Sequence, residues 1–344
     1  MQNLCPIFWG TAGVGLGSGR GFGLGKPEFG YISFARPAEI CGIKKIHFMK
    51  VFVTGATGFI GSVVVTELIR AGHQVVGLAR SESGEKALRA SGAGVLRGEL
   101  EDVDSLRRGA QAADGVAHLG FIHDFSRFQE VCAVDRKAIE TFASVLEGTG
   151  KPLVITSGTA LVNPGTLATE EMVTVFTPEQ FPRVASEQAA RDVAARGVPV
   201  SIVRLSPSVH GAGDHGFVPI LINTAREKGV AAFVGEGRNR WTGVHRLDAA
   251  KIYRLALEKA APMAVYHGVA EEGIAFRDIA GVIGKRLGLP VVSKSPEEAA
   301  EHFGWFAHFA AIDCPASSKL TRDALGWKPV QPGLLEDMEA NYFG

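Results

Sequence analysis

The stretch that most constrains this chain is VFVTGATGFIG, residues 51–61. An apolar run of Val51, Phe52 and Val53 meets glycines at positions 55, 58 and 61, then passes into an amphipathic segment from Phe59 to Ala71. Within that segment Ile60, Val63, Val64 and Leu68 fall near helical spacing, and Gly72 supplies a C-terminal stop. The pattern predicts a strand, a tight turn and a helix. Glycines let the backbone turn sharply and approach a ligand, while the unpaired N–H groups at a helix start attract phosphate. A dinucleotide pyrophosphate is therefore the expected guest, with packing of the turn alone as the competing reading.

Composition narrows the classes. The 36 basic and 36 acidic side chains cancel, so nothing in the overall charge favours nucleic acid or a membrane surface. No apolar run reaches the length of about 18 residues that a spanning helix needs. Cys5, Cys41, Cys132 and Cys314 lie scattered without CxxC spacing, which argues against a metal site and a disulfide framework and makes a reduced, cytoplasmic setting the default.

Residues 1–48 hold ten glycines and five basic residues against Glu28 and Glu39. No strand pattern precedes the glycine run from Gly13 to Gly25 and no helix pattern follows it, so the segment is expected to be a flexible leader. A transit peptide is the alternative, given the acid-poor composition; the absence of an amphipathic helix stands against it. The folded part is expected to begin at Met49, directly before the first strand.

The spacing GxxGxxG after Thr54 resembles the extended and atypical members of the short-chain dehydrogenase/reductase superfamily. That resemblance implies an α/β Rossmann fold, doubly wound around a parallel sheet, over 49–216, with a smaller C-terminal α/β substrate part over 217–344 interleaved with it. Its cofactor contacts carry over to Gly55, Thr57, Gly58, Phe59, Ile60 and Gly61 in the loop. Arg80 ends the next strand, QVVGLA (74–79), where an acid would bond a ribose 2′-hydroxyl and an arginine accommodates a 2′-phosphate, so NADP is expected over NAD. Glu99 and Leu100 stand at the family's Asp-Leu element beside the adenine, and Asp102 or Asp104 can cap the helix that follows. The fourth strand is expected over Gly115 to Leu119, GVAHL, with Gly120 after it; its end lies along the cofactor and brings His118 near, as a packed core residue or an acid–base group. Ser157, Pro207 and Val209 complete the implied cofactor set.

The family's catalytic residues are altered. In PLVITSGTAL (152–161) the position of the catalytic Ser or Thr is Gly158, with Ser157 and Thr159 beside it. The family's YxxxK falls on RVASE (183–187), placing Arg183 at the Tyr and Glu187 at the Lys. An arginine is a very poor proton donor near neutral pH, and Glu187 reverses the charge. Of the tyrosines Tyr31, Tyr253, Tyr266 and Tyr342, none has a lysine four residues later. Asp135 stands for the Asn of the family's Val-Asn pair. His210 occupies the tyrosine of the family's Arg-Pro-x-x-x-Tyr-Gly stretch; with an ordinary pKa near ~6.5 it is expected either to donate a proton to a reacting carbonyl or only to shape the pocket. Arg183 is expected to stabilise the charge electrostatically, with Thr159 as a further catalytic candidate.

Further on, His245 and Asp248 match a His and an Asp that open a helix in the family, and Asp248 is expected to cap it. The aromatic segment EHFGWFAHFAAID (301–313) is expected as a lid over an apolar substrate, a dimer face, or plain core. LGWKP (325–329) resembles the family's C-terminal Leu-Gly-Trp-x-Pro. The resemblance implies an NADP-dependent oxidoreductase acting on a small carbonyl or alcohol, with an epimerase or lyase, or a non-catalytic NADP(H) sensor, as alternatives. No metal, nucleic acid or membrane partner is expected; a homodimer is compatible with the fold.

Overall fold

A computed structural model describes residues 48–343. The leader expected over 1–48 lies, apart from Phe48, outside the described residues. The elements run in the order β1 (Lys50–Thr54), α1 (Gly61–Arg70), β2 (Gln74–Ala79), α2 (Glu82–Ala90), β3 (Gly94–Arg97), α3 (Val103–Gln111), β4 (Gly115–His118), α4 (Phe128–Leu146), β5 (Leu153–Gly158), α5 (Ala185–Ala195), β6 (Val200–Leu205), β7 (Ser208–His210) and α6 (Phe217–Lys228). There follow β8 (Ala231–Val234), β9 (Arg240–His245), α7 (Arg246–Lys259), β10 (Ala264–Gly268), β11 (Glu271–Ala275), α8 (Phe276–Leu287), β12 (Val291–Lys294), α9 (Pro296–Phe303), α10 (Ala307–Ala311), α11 (Lys319–Leu325) and α12 (Leu334–Asn341).

Seven strands form one parallel sheet in the order β10-β6-β5-β4-β1-β2-β3. Its central strands are apolar on both faces because helices cover both, as parallel sheets require. On one face Val51, Val53 and Val154 pack with Val64 and Leu68 of α1 and Tyr253 of α7; on the other Phe52, Val116 and Ile155 pack with Leu106 of α3 and Phe142 of α4. Each of these large side chains contributes roughly 1.5–3 kcal/mol through burial. The strand order reverses between β1 and β4, which opens the crevice at the carboxyl ends where doubly wound sheets bind ligands.

The C-terminal half returns to the main sheet: β10 adds to the β6 edge, pairing Ala264 with Ser201 through Gly268 with Leu205. The smaller elements form a three-stranded sheet, β11-β9-β7, and a two-stranded one, β12-β8, around a core with Trp241, Phe276 and Phe306. Three short elements, β7, β9 and β11, and the last helix α12 were not legible as such in the sequence. Among the described residues no helix is long and apolar enough to cross a membrane.

Candidate active site

The glycine turn is built by close approach. Gly55 has φ +65°, and a Cβ there would sit 2.7 Å from the backbone nitrogen of Gly120. A Cβ on Gly61 would lie 1.9 Å from the Gly55 carbonyl oxygen, so only glycine lets α1 start directly under the turn. Thr54 ties the two strand ends together: its Oγ1 accepts from the Gly120 N–H at 3.1 Å, and it lies 2.6 Å from His118 Nδ1. Thr57 and Gly58 are exposed at the turn, and Phe59 and Ile60 half-buried. No side chain caps α1 and no acid stands in its first turn. Ser62 N–H turns back to the Gly58 carbonyl at 3.0 Å, which leaves the N–H groups of Phe59, Ile60 and Gly61, among the described residues, open to an anion, and the cradle fits a dinucleotide pyrophosphate. The other cofactor candidates lie at the same ends of the strands: Arg80 exposed after β2, Glu99 and Leu100 after β3, Leu119 after β4, Ser157 in β5, Pro207 and Val209 after β6. Leu100 Cδ2 reaches within 3.0 Å of where a Gly120 Cβ would be, joining the β3 and β4 ends.

Beside these residues opens a cavity of about 700 Å³, into which Ser157, Gly158, Ser206, Pro207 and Arg183 face. One wall carries Phe121, Phe128, Phe176 and Phe181; the other carries Phe217, Trp241 and Phe309. The rings meet edge-on or tilted, Phe128 with Phe181 at 5.9 Å and Phe217 with Phe309 at 5.0 Å between centroids. The polar side chains of the lining are His123, Ser157, Gln180, Arg183, Ser206 and His308; Trp241 Nε1 donates to the Phe309 carbonyl at 3.1 Å, Ser206 Oγ to the Gly268 carbonyl at 2.8 Å, and Gln180 Oε1 accepts from the Thr177 N–H at 3.0 Å.

Arg183 lies where expected, at the cavity, but it is engaged. Nη1 donates to Asp135 Oδ2 at 2.7 Å, Nη2 donates to the Thr156 carbonyl at 2.9 Å, and the guanidinium lies 4.5 Å from the centroid of the Phe121 ring. Asp135 also receives Ser186 Oγ at 2.5 Å and His118 Nε2 at 3.1 Å. Burial would raise the Asp135 carboxyl, but the Arg183 charge and the hydrogen bonds from His118 and Ser186 outweigh it and hold it at about 2. Glu187 is equally engaged. It accepts from Arg204 Nε at 2.8 Å and Nη2 at 2.7 Å, and from Ser157 Oγ at 2.7 Å. Burial works against its charge; the hydrogen bonds and charge of Arg204 prevail, and its pKa is lowered. The two positions of the missing Tyr-Lys pair are therefore filled by two separate buried ion pairs.

His210 does not reach the cavity. After Pro207 the chain turns into β7, which pairs with β9, so His210 stands opposite His245 in the smaller sheet. It is fully buried, with Nδ1 donating to Asp337 Oδ2 at 2.8 Å, and Nε2 has no partner among the described residues. The expected contact to a reacting carbonyl is corrected to one holding α12. Thr159 is likewise turned under, its hydroxyl 3.2 Å from that of Thr242, while its neighbours Gly158 and Ala160 face the cavity. His118 is the packed core residue of the two readings. The helix cap also differs from expectation: the His245 side chain accepts from the Leu247 N–H at 3.2 Å, whereas Asp248 accepts from Val330 and Gln331 N–H at 2.8 Å. The aromatic segment divides, with His308 and Phe309 lining the cavity and Phe303 and Phe306 in the core. Sequence reasoning missed the partners Arg204 and Asp337; an arginine inside the apolar run VSIVRL was the signal that a buried acid must answer it.

The comparisons agree with this architecture. A model described as the NAD dependent epimerase/dehydratase family matches residues 51–267. An uncharacterized protein of Schizosaccharomyces pombe is 50% identical over 296 residues, 86% of this chain and 100% of its own. A 2-alkyl-3-oxoalkanoate reductase of Stenotrophomonas maltophilia is 30% identical over 265 residues, 72% of this chain and 78% of its own. Among solved structures, a dTDP-glucose 4,6-dehydratase of Streptomyces venezuelae with NAD bound superposes at a TM-score of 0.70 with 18% identity, covering 85% of this chain and 95% of that one.

Proposed function

Because the chain belongs to the NAD dependent epimerase/dehydratase family, we propose that it is an NADP-dependent oxidoreductase that moves a hydride between the nicotinamide and a small carbonyl or alcohol. That the protein is an enzyme with a bound NAD-type dinucleotide accords with its family and with relatives named as reductases and dehydrogenases. The observation that carries the finer reading is the succession from the glycine turn, packed on Gly120, to Phe121 and a cavity into which Ser157 and Arg183 face. Arg80, exposed at the end of β2 and in no ion pair among the described residues, supports NADP over NAD.

When bound, the nicotinamide supplies or accepts the hydride. The chain's own residues handle the rest. The loop from Gly55 to Gly61 holds the pyrophosphate, and Pro207 with Ser157 borders the reacting end. Guanidinium N–H groups of Arg183 not spent on Asp135, Ser186 and Thr156 stabilise the negative oxygen that develops on the substrate. Ser157 holds its proton towards Glu187 and turns its lone pairs to the cavity. Ser157 Oγ, its own proton held by Glu187 Oε1, accepts a hydrogen bond from a substrate hydroxyl and so orients it; Glu187 stays a carboxylate against Arg204, and the proton lost in oxidation or gained in reduction is exchanged with solvent.

Titration of the protein with NADPH and NADH, followed by a carbonyl panel watched for loss of NADPH absorbance, tests this reading. Preferred binding of NADPH with oxidation by a carbonyl is expected. Tight binding of neither nucleotide would overturn it.

A further inference from the structure

We propose that the substrate is an uncharged, hydrophobic ketone or secondary alcohol with an aromatic or bulky alicyclic body, rather than a sugar nucleotide or an organic acid. This rests on the oxidoreductase reading for the reaction but not for the binding site.

The size comes first. A space of about 700 Å³ holds a drug-sized molecule, and sites of that size are lined mainly by apolar groups with a few placed polar ones. Here the facing walls are aromatic, so a flat or ring-containing body gains stacking and edge-to-face contact on both sides.

Charge decides the rest. No acidic side chain lines the cavity, and the cation that reaches in, Arg183, is neutralised by Asp135 at 2.7 Å. Desolvation, followed by the Arg183 charge, keeps the pKa of His123 below its ordinary value, so near pH 7 this histidine offers an anion no added charge. A diphosphate or carboxylate would be desolvated here without a free counter-charge. The several hydroxyls of a sugar would meet mostly rings: the Trp241 N–H and the Ser206 hydroxyl proton are already spent on backbone carbonyls, and Gln180, His123 and His308 are too few to pair them all. Each hydroxyl left unpaired would weaken binding. One carbonyl, by contrast, is served by an Arg183 N–H, and one hydroxyl by Arg183 together with the lone pairs of Ser157.

Gly158 gives the pocket its depth. A Cβ there would have only the Leu205 carbonyl within 4 Å, at 3.9 Å, and the backbone is ordinary extended. A larger side chain at 158 therefore grows into the cavity without strain. Phe176 offers a second handle on the opposite wall, from a loop rather than a packed helix.

The test is calorimetric titration of the full chain, saturated with NADPH, with three probes: 2-acetonaphthone, 2-naphthoate and UDP-glucose. The expected result is that 2-acetonaphthone binds at least tenfold more tightly than the other two. Gly158→Leu and, separately, Phe176→Asp should each weaken that binding at least tenfold, while folding, checked by circular dichroism, is kept. UDP-glucose or naphthoate binding as tightly as the ketone overturns the proposal, as does the absence of ketone binding or binding that neither variant changes. NADPH oxidation is read separately: ketone binding without oxidation sinks the oxidoreductase reading and leaves the substrate class standing.

Discussion

Glu187 and Arg204 face each other in the interior as a two-pronged pair, Oε1 2.8 Å from Nε and Oε2 2.7 Å from Nη2. The pair replaces the lysine of the family's active site with a charge of the opposite sign and supplies the compensating cation from the neighbouring strand.

Glu187→Gln leaves Arg204 buried with a neutral partner, and breaking a buried pair in this way costs about 3–5 kcal/mol. Glu187→Lys, which restores the family's residue, sets two cations side by side and is expected to cost more. Urea unfolding of both variants checks the order; a Lys variant as stable as the parent would refute it.

Asp135 contributes an acid-sensitive share of stability. Its carboxyl is held at about 2, against ~3.9 in an unfolded chain. A depressed acid contributes stability above its unfolded pKa and loses it as pH falls through the folded value. On the order of 2 kcal/mol should therefore disappear between about pH 4 and pH 2. The stability difference between the parent and Asp135→Asn, followed by denaturant titration, should shrink across that window.

His267 acts at higher pH. Burial lowers its pKa to about 4, and as a neutral ring it donates Nδ1–H to the Ser317 carbonyl at 2.8 Å. The folded state resists its protonation, so stability is complete above the unfolded value of ~6.5 and is lost as pH falls towards 4. His267→Gln should flatten the unfolding curve between those limits, and an unchanged slope would remove His267 from the account.

Gly61→Ala forces a methyl against the Gly55 carbonyl, 1.9 Å away. Because the obstacle is backbone, the turn must open, at a cost of about 1–3 kcal/mol. NADPH affinity should fall at least tenfold, whereas Arg80→Ala should weaken NADPH by roughly tenfold or more and leave NADH nearly unchanged. Fluorescence titration with both nucleotides separates the two effects.

Arg183→Ala should lower turnover by about 100-fold, the scale of a lost oxyanion donor. His210→Ala should lower the thermal midpoint through the loss of its bond to Asp337 and leave turnover of the refolded enzyme close to the parent's. Comparable losses of kcat in both would put His210 back into the chemistry.

The Rossmann half was legible because its signals are local. The apolar run QVVGLA predicted β2 to the residue. The cap at Asp102 was one of two positions named. What escaped depends on long-range pairing: β7 is three residues long and exists only because β9 lies beside it. The misplacement of His210 has the same origin, since a string match cannot show the strand switching sheets after Pro207. The absence of the Tyr-Lys pair was readable from four tyrosines, but its replacement by the pairs Arg183–Asp135 and Glu187–Arg204 required residues 48 and 17 positions apart to be seen together.

The late arrival of β10 has a consequence for synthesis. Ser206, just past the end of β6, and Gly268, the last residue of β10, are 62 positions apart. A ribosome adding about 5–20 residues per second takes roughly 3–12 seconds to bridge that interval. During those seconds β6 is an unpaired border of an otherwise assembled sheet, the kind of bare strand that invites another chain. The growing polypeptide is most exposed to misassociation there, and a truncated product ending before residue 264 would carry that border permanently.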